Sequence, residues 1–94
     1  MALNVVICED DHLDAVVIHE AIHKAEKRFS FECRLNLYTS GEELLHSLRL
    51  NIPCDLIIMD ISLKEENGVQ IIQQARKLQE SLEVAFLTTS KEYA

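Results

Sequence analysis

The sequence predicts a doubly wound α/β fold, one parallel sheet with helices on both faces. Short apolar, β-branched runs alternate strictly with longer stretches of helical periodicity in the order βαβαβαβ. Two of the runs, Leu3-Asn4-Val5-Val6-Ile7-Cys8 and Asp55-Leu56-Ile57-Ile58-Met59-Asp60, are apolar almost throughout, as strands covered on both faces are. Right-handed crossovers between parallel strands then place the connecting helices on the two sides of the sheet. With 94 residues, 48% hydrophobic and 27% charged, the chain is one domain able to bury a modest core without disulfides or structural metal.

The elements follow in order. The first strand, Leu3 to Cys8, stops at Glu9-Asp10-Asp11. From His12 to about Lys27, Leu13, Val17, Ile18, Ala21, Ile22 and Ala25 mark a helical face, with Asp11 as its N-cap. Phe31, Cys33, Leu35 and Leu37 alternate with Glu32, Arg34 and Asn36, the period-two pattern of a half-covered strand near a sheet edge, partnered by the first strand. Ser40 and Glu43 form a capping box before the short helix of Leu44, Leu45 and Leu48, which Pro53 ends. The strand Asp55 to Asp60 also closes on a carboxylate. After the polar loop Ser62 to Asn67, a third helix runs from about Gly68 to Gln79, with Ile71, Ala75, Leu78 and Leu82 on one stripe. Val84-Ala85-Phe86-Leu87 is the fourth strand, ending at Thr88-Thr89-Ser90.

Charge and cysteine usage narrow the function. Nine Lys plus Arg against sixteen Asp plus Glu give a net charge of −7, which repels phosphate backbones and anionic lipid, so direct nucleic-acid binding is not expected. Cys8, Cys33 and Cys54 lack CxxC spacing and read as buried thiols of a reducing cytosol. No apolar run is long enough to cross a bilayer and the N-terminus lacks a signal peptide's basic region, so a soluble, cytoplasmic protein is expected.

In a doubly wound sheet the ligand site lies beyond the carboxyl ends of the strands, where strand order reverses. Those ends deliver Glu9-Asp10-Asp11, Asp60 and Thr88-Thr89. Crowded carboxylates must be protonated, solvated or neutralised, and a hard divalent ion with oxygen ligands, Mg2+ above all, suits them. Asp60 then keeps an oxygen to attack phosphorus and the Thr88 hydroxyl can donate a hydrogen bond to the phosphoryl group, the chemistry of an acyl-phosphate site.

The three motifs Val5-Val6-Ile7-Cys8-Glu9-Asp10-Asp11, Asp55-Leu56-Ile57-Ile58-Met59-Asp60-Ile61-Ser62-Leu63 and Phe86-Leu87-Thr88-Thr89 stand in register, and with them the chain resembles a bacterial response-regulator receiver domain. Gly68 stands where that family has its loop glycine, and the ending Phe86 to Ala94 is similar to receivers attached to LytTR-type DNA-binding domains. The resemblance implies a flavodoxin-like topology with strand order 2-1-3-4. It implies that residues 1–94 are a receiver lacking its C-terminal helix–strand–helix portion, fifth strand included. Asp60 would be the phosphoacceptor, taking its phosphoryl group from a sensor histidine kinase, and Thr88 the switch hydroxyl. Mg2+ would be held by Asp10 and Asp60, by Glu9 mainly through water, and by the backbone carbonyl of Ser62. The output would be transcription through a separate domain. The sequence departs from the pattern at Lys64, where many receivers have proline, and at Thr89, usually Ala or Gly. Lys91 and Tyr93 do not match the family's missing lysine and switch aromatic.

Two other functions use the same residues. A phosphohydrolase with an aspartyl nucleophile needs a second Asp two residues after the first, where Ser62 stands, so an enzyme is not expected. A receiver-like interaction module that is not phosphorylated would keep the fold but leave the acidic pocket idle. Short hydroxyls at Ser62 and Ser90 place the hydrolytic water poorly, so self-dephosphorylation should be slow. A fourth strand at the sheet edge invites self-association. Asp11 reads as an N-cap, Asn67-Gly68 as a turn pair, and His12, His19, His23 and His46 as solvated helix residues.

Overall fold

In the computed structural model, which describes residues 2–61 and 67–87, the chain folds as β1 (Ala2–Cys8), α1 (His12–Phe29), β2 (Glu32–Tyr38), α2 (Gly41–Arg49), β3 (Leu56–Asp60), α3 (Gly68–Leu78) and β4 (Glu83–Leu87). The strands form one parallel sheet in the order β2-β1-β3-β4. The doubly wound α/β architecture and its 2-1-3-4 order are those expected from the sequence. Expectations resting on residues 62–66 and 88–94, which include Ser62, Lys64, Thr88, Thr89, Ser90, Lys91 and Tyr93, lie outside the described residues.

Alternation sorts the strand side chains onto two unequal faces. Val6 and Cys8 of β1 and Ile57 and Met59 of β3 point to one side, where Leu44, Leu45 and Leu48 of α2 meet Ile71, Ile72 and Ala75 of α3 in the main core. Leu44, Ile57, Met59 and Ala75 have no exposed surface at all. On the other side Val5 and Ile7 are buried, but Leu56 and Ile58 are only half-buried. There α1 stands over the sheet with an apolar cleft of about 170 Å³ between its Ile22 and Ala25 and the strand residues Val5, Leu56 and Ile58.

Each helix begins where a side chain satisfies its open N–H groups. The Asp11 carboxylate accepts from Asp14 N, as an N-cap does, and Ser40 Oγ accepts from Glu43 N at 3.2 Å. The Glu43 carboxylate takes the Thr39 hydroxyl at 2.8 Å. α1 ends at Ser30, whose φ of 55° sends its N–H back to Glu26 O, and β2 is then tied to the helix by Cys33 N donating to Glu26 Oε2 at 2.8 Å. That bond first, and His23 second, hold the Glu26 carboxyl below the usual carboxylate range.

Four sequence expectations are corrected in detail. The sheet-facing stripe of α1 is the buried Ala15 with the half-buried Ile18, Ile22 and Ala25, whereas Ala21 is exposed and Leu13 and Val17 are 75% and 64% exposed. The apolar arc of this helix is wider than the face the sheet can cover, and spacing alone does not say which half turns inward. α2 ends at Arg49, ahead of Pro53, because Asn51 adopts a left-handed φ of 59°. Asn67-Gly68 is no simple turn: Asn67 caps α3, its Oδ1 accepting from Val69 N and Gln70 N, while Gly68 is the first helical residue, as the helical pattern predicts. Of the cysteines only Cys8 is buried; Cys33 and Cys54 are partly so, and burial above all raises the pKa of both thiols.

Candidate functional site

The reversal of strand order falls between β1 and β3, the pair on which the chain turns from one side of the sheet to the other. Their register sets Cys8 opposite Met59. The next residues, Glu9 and Asp60, therefore sit side by side at the carboxyl edge, in the same alternation as Ile7 and Ile58. Sequence separation of about fifty residues is cancelled by two short stretches of backbone pairing.

Glu9, Asp10 and Asp60 bring carboxylate oxygens within 4.8 Å of one another. Glu9 and Asp60 are 2% and 4% exposed, and Asp10 is half-buried. Glu9 is fixed at both ends: its N–H donates to Tyr38 O at 3.0 Å, and its Oε1 accepts from Asp11 N at 3.1 Å. Its second oxygen, Oε2, is buried with no geometrically sound hydrogen-bond partner among the described residues. Burial is the main reason the Glu9 carboxyl is pushed up to about 7; the Asp11 N–H opposes that rise, and the neighbouring Asp60 carboxylate adds to it.

Ile61 and Gly68, the described residues on either side of the β3–α3 connection, are both tied to this edge. Ile61 N donates to Leu87 O at 3.0 Å, and Gly68 N donates to Ile61 O at 3.1 Å. Gly68 passes so close to the strand end that a Cβ there would run into the carbonyl oxygen of Asp60 and touch the Met59 side chain. The glycine lets the start of α3 close against the residue that carries the candidate nucleophile. Local pattern marked Gly68 as part of a turn pair at the start of a helix, its place beside the site came only from the resemblance, and no spacing rule points to the contact with Asp60.

Of the residues expected at the site, the structure thus unites Glu9, Asp10 and Asp60. Asp11 faces the helix it caps. Ser62 and Thr88 lie outside the described residues, although Leu87, the residue before Thr88, pairs with Asp60 across the β3–β4 ladder. The tie from Glu9 N to the Tyr38 carbonyl, which seats β1's end against β2, was not legible in the sequence. Three clustered carboxylates, two of them buried, form a hard oxygen donor set, and such a set fits Mg2+. No helix of the described residues is long and apolar enough to cross a membrane.

The sequence profile of the response regulator receiver domain matches residues 5–94, and the chain belongs to that family. Solved structures agree in fold. The N-terminal domain of a response regulator/sensory box/GGDEF three-domain protein from Carboxydothermus hydrogenoformans superposes with a TM-score of 0.79 at 27% identity, covering 94% of this chain and 66% of that one. TrrA from Thermotoga maritima, solved in complex with Mg2+-BeF, gives 0.68 at 21% identity over 97% of this chain and 73% of its own. A CheY-like receiver domain protein from Methanospirillum hungatei JF-1 gives 0.68 at 20% identity over 98% and 70%. The chain spans 66% to 73% of the length of these three structures. No curated protein matches significantly.

Proposed function

We propose that residues 1–94 act as the phosphoacceptor module of a two-component response regulator, with Asp60 as the phosphorylated residue. The observation that carries this reading is the meeting of Glu9, Asp10 and Asp60 within 4.8 Å at the switch point. The donor is a sensor histidine kinase. An oxygen of Asp60 bonds to phosphorus as the bond from phosphorus to the donor imidazole nitrogen breaks. Asp10, Asp60 and the Ser62 backbone carbonyl would hold Mg2+ directly, and Glu9 mainly through water. When bound, the ion supplies charge neutralisation for an incoming phosphoryl group that the carboxylates would otherwise repel.

The chain's own residues do the rest. The β1–β3 ladder fixes where Asp60 stands, and Gly68 at the start of α3 lets the helix pack directly against its backbone carbonyl. The Thr88 hydroxyl donates to the phosphoryl group and so reports phosphorylation to the surface. Ser62 and Ser90 offer no carboxylate or amide to position water, and self-dephosphorylation is slow. The likeness of the residues from Phe86 onward to LytTR-type regulators supports an output through a separate DNA-binding domain, which this acidic segment does not replace.

Labelling with acetyl phosphate tests the reading. The full-length regulator is expected to take up phosphate in the presence of Mg2+, and Asp60→Asn is expected to abolish uptake. Absence of labelling in the full-length regulator, with folding intact, would favour the unphosphorylated interaction module.

A further inference from the structure

A second cluster of metal-ligating side chains lies on α1, outside the acidic edge. His19 and His23 are one helical turn apart, their rings 4.9 Å between centroids and nearly perpendicular. Spacing alone makes such a pair ordinary solvated residues. The structure adds a carboxylate behind one of them: His23 Nδ1 lies 2.8 Å from Glu26 Oε1. Glu26 is itself held in place, its other oxygen accepting from Cys33 N at 2.8 Å. The His23 side chain is 62% exposed and that of Glu26 only 16%, so the carboxylate is seated beneath an open imidazole.

That arrangement gives His23 the features of a prepared ligand. An imidazole that donates Nδ1–H to a fixed carboxylate is locked in one tautomer and presents the Nε2 lone pair outward. His19 is exposed, so its ring is at liberty to turn towards the same ion. Two neutral imidazoles suit a borderline transition metal, whereas the oxygen donors at the strand ends suit a hard cation. We propose that His19 and His23 form a binding site for Zn2+ or a similar transition-metal ion, with Glu26 as the positioning residue and water completing the coordination.

Zinc titration of the intact chain, followed by calorimetry in an Asp10→Ala background to weaken the acidic edge, tests this. One equivalent is expected to bind. His19→Ala and His23→Ala are each expected to reduce the affinity at least tenfold, and Glu26→Gln by about 10- to 100-fold, the effect typical of losing a carboxylate behind a ligating histidine. The histidines are exposed, so both variants should keep the parent's circular dichroism. As a second readout, Ni2+ should broaden the His19 and His23 ring resonances before those of His12 and His46. Zinc isotherms in His19→Ala and His23→Ala that superimpose on the parent's, or zinc binding that vanishes with Asp10→Ala alone, would overturn the proposal.

Discussion

Glu9 is the residue at which burial and charge conflict most. Its carboxyl, ordinarily near 4.5, is raised to about 7 in the folded chain. Below pH 4.5 both states hold the proton and the contribution to stability is complete. As pH rises towards 7 the unfolded chain releases its proton while the folded chain keeps it, so stability falls over that interval and levels off above it. Melting temperature measured without divalent metal should therefore decline from about pH 5 to 7.5, and Glu9→Gln should flatten that slope. Mg2+ at neutral pH should raise the melting temperature of the parent, because an ion that binds only the folded state stabilises it by mass action. At Gly68 the conflict is steric. Gly68→Ala places a methyl group against the Asp60 carbonyl, and a loss of about 1–3 kcal/mol is expected in urea unfolding, with slower phosphorylation because the strand end must shift.

The elements depend unequally on their caps and their packing. Asn67 satisfies two N–H groups at the start of α3, next to the candidate site, and Asn67→Ala should cost about 1 kcal/mol by denaturant unfolding. α2 contributes through its buried leucines. Leu45→Ala should cost about 2–5 kcal/mol, since Leu45 is 1% exposed amid the main core. Leu13→Ala on α1 should change stability by less than about 0.5 kcal/mol, because a side chain 75% exposed loses little on truncation. Equal losses at these two leucines would contradict the assignment of the core to the α2–α3 side.

Across the whole molecule the sheet divides labour between its faces and its edge. The α2–α3 side is closed and carries most of the apolar burial, whereas the α1 side retains a cleft and half-buried strand residues. The carboxyl edge, held from both sides by paired strands, carries the acidic cluster. Asp60→Asn relieves repulsion at that edge while keeping its shape, so it should preserve or raise stability in the absence of metal while abolishing phosphate uptake. A calorimetric scan beside the labelling assay would show both effects.

How much of this was legible in the sequence follows from which properties are local. Periodicity in the strands and helices, the caps at Asp11 and Ser40, and the two strands ending on carboxylates are short-range patterns, and from them came the sheet and the expectation that Glu9, Asp10 and Asp60 share a site. The inward half of α1 was not local. Leu13 and Val17 are as apolar as Ile18 and Ile22, and only the limited width of sheet beneath the helix selects between them. Nor was the role of Asn67-Gly68, where a pair suited to a turn opens a helix because the chain must pass against Asp60. The carboxylate beneath His23 depends on Cys33, in the strand after the helix, whose N–H anchors Glu26. The sequence by itself determined the alternation of elements and the chemical character of the strand ends, since both are written in the order of residues. Tertiary structure alone decided which apolar face is covered, how deeply Glu9 is buried and which side chains meet across the fold, because these depend on the packing of segments distant in the chain.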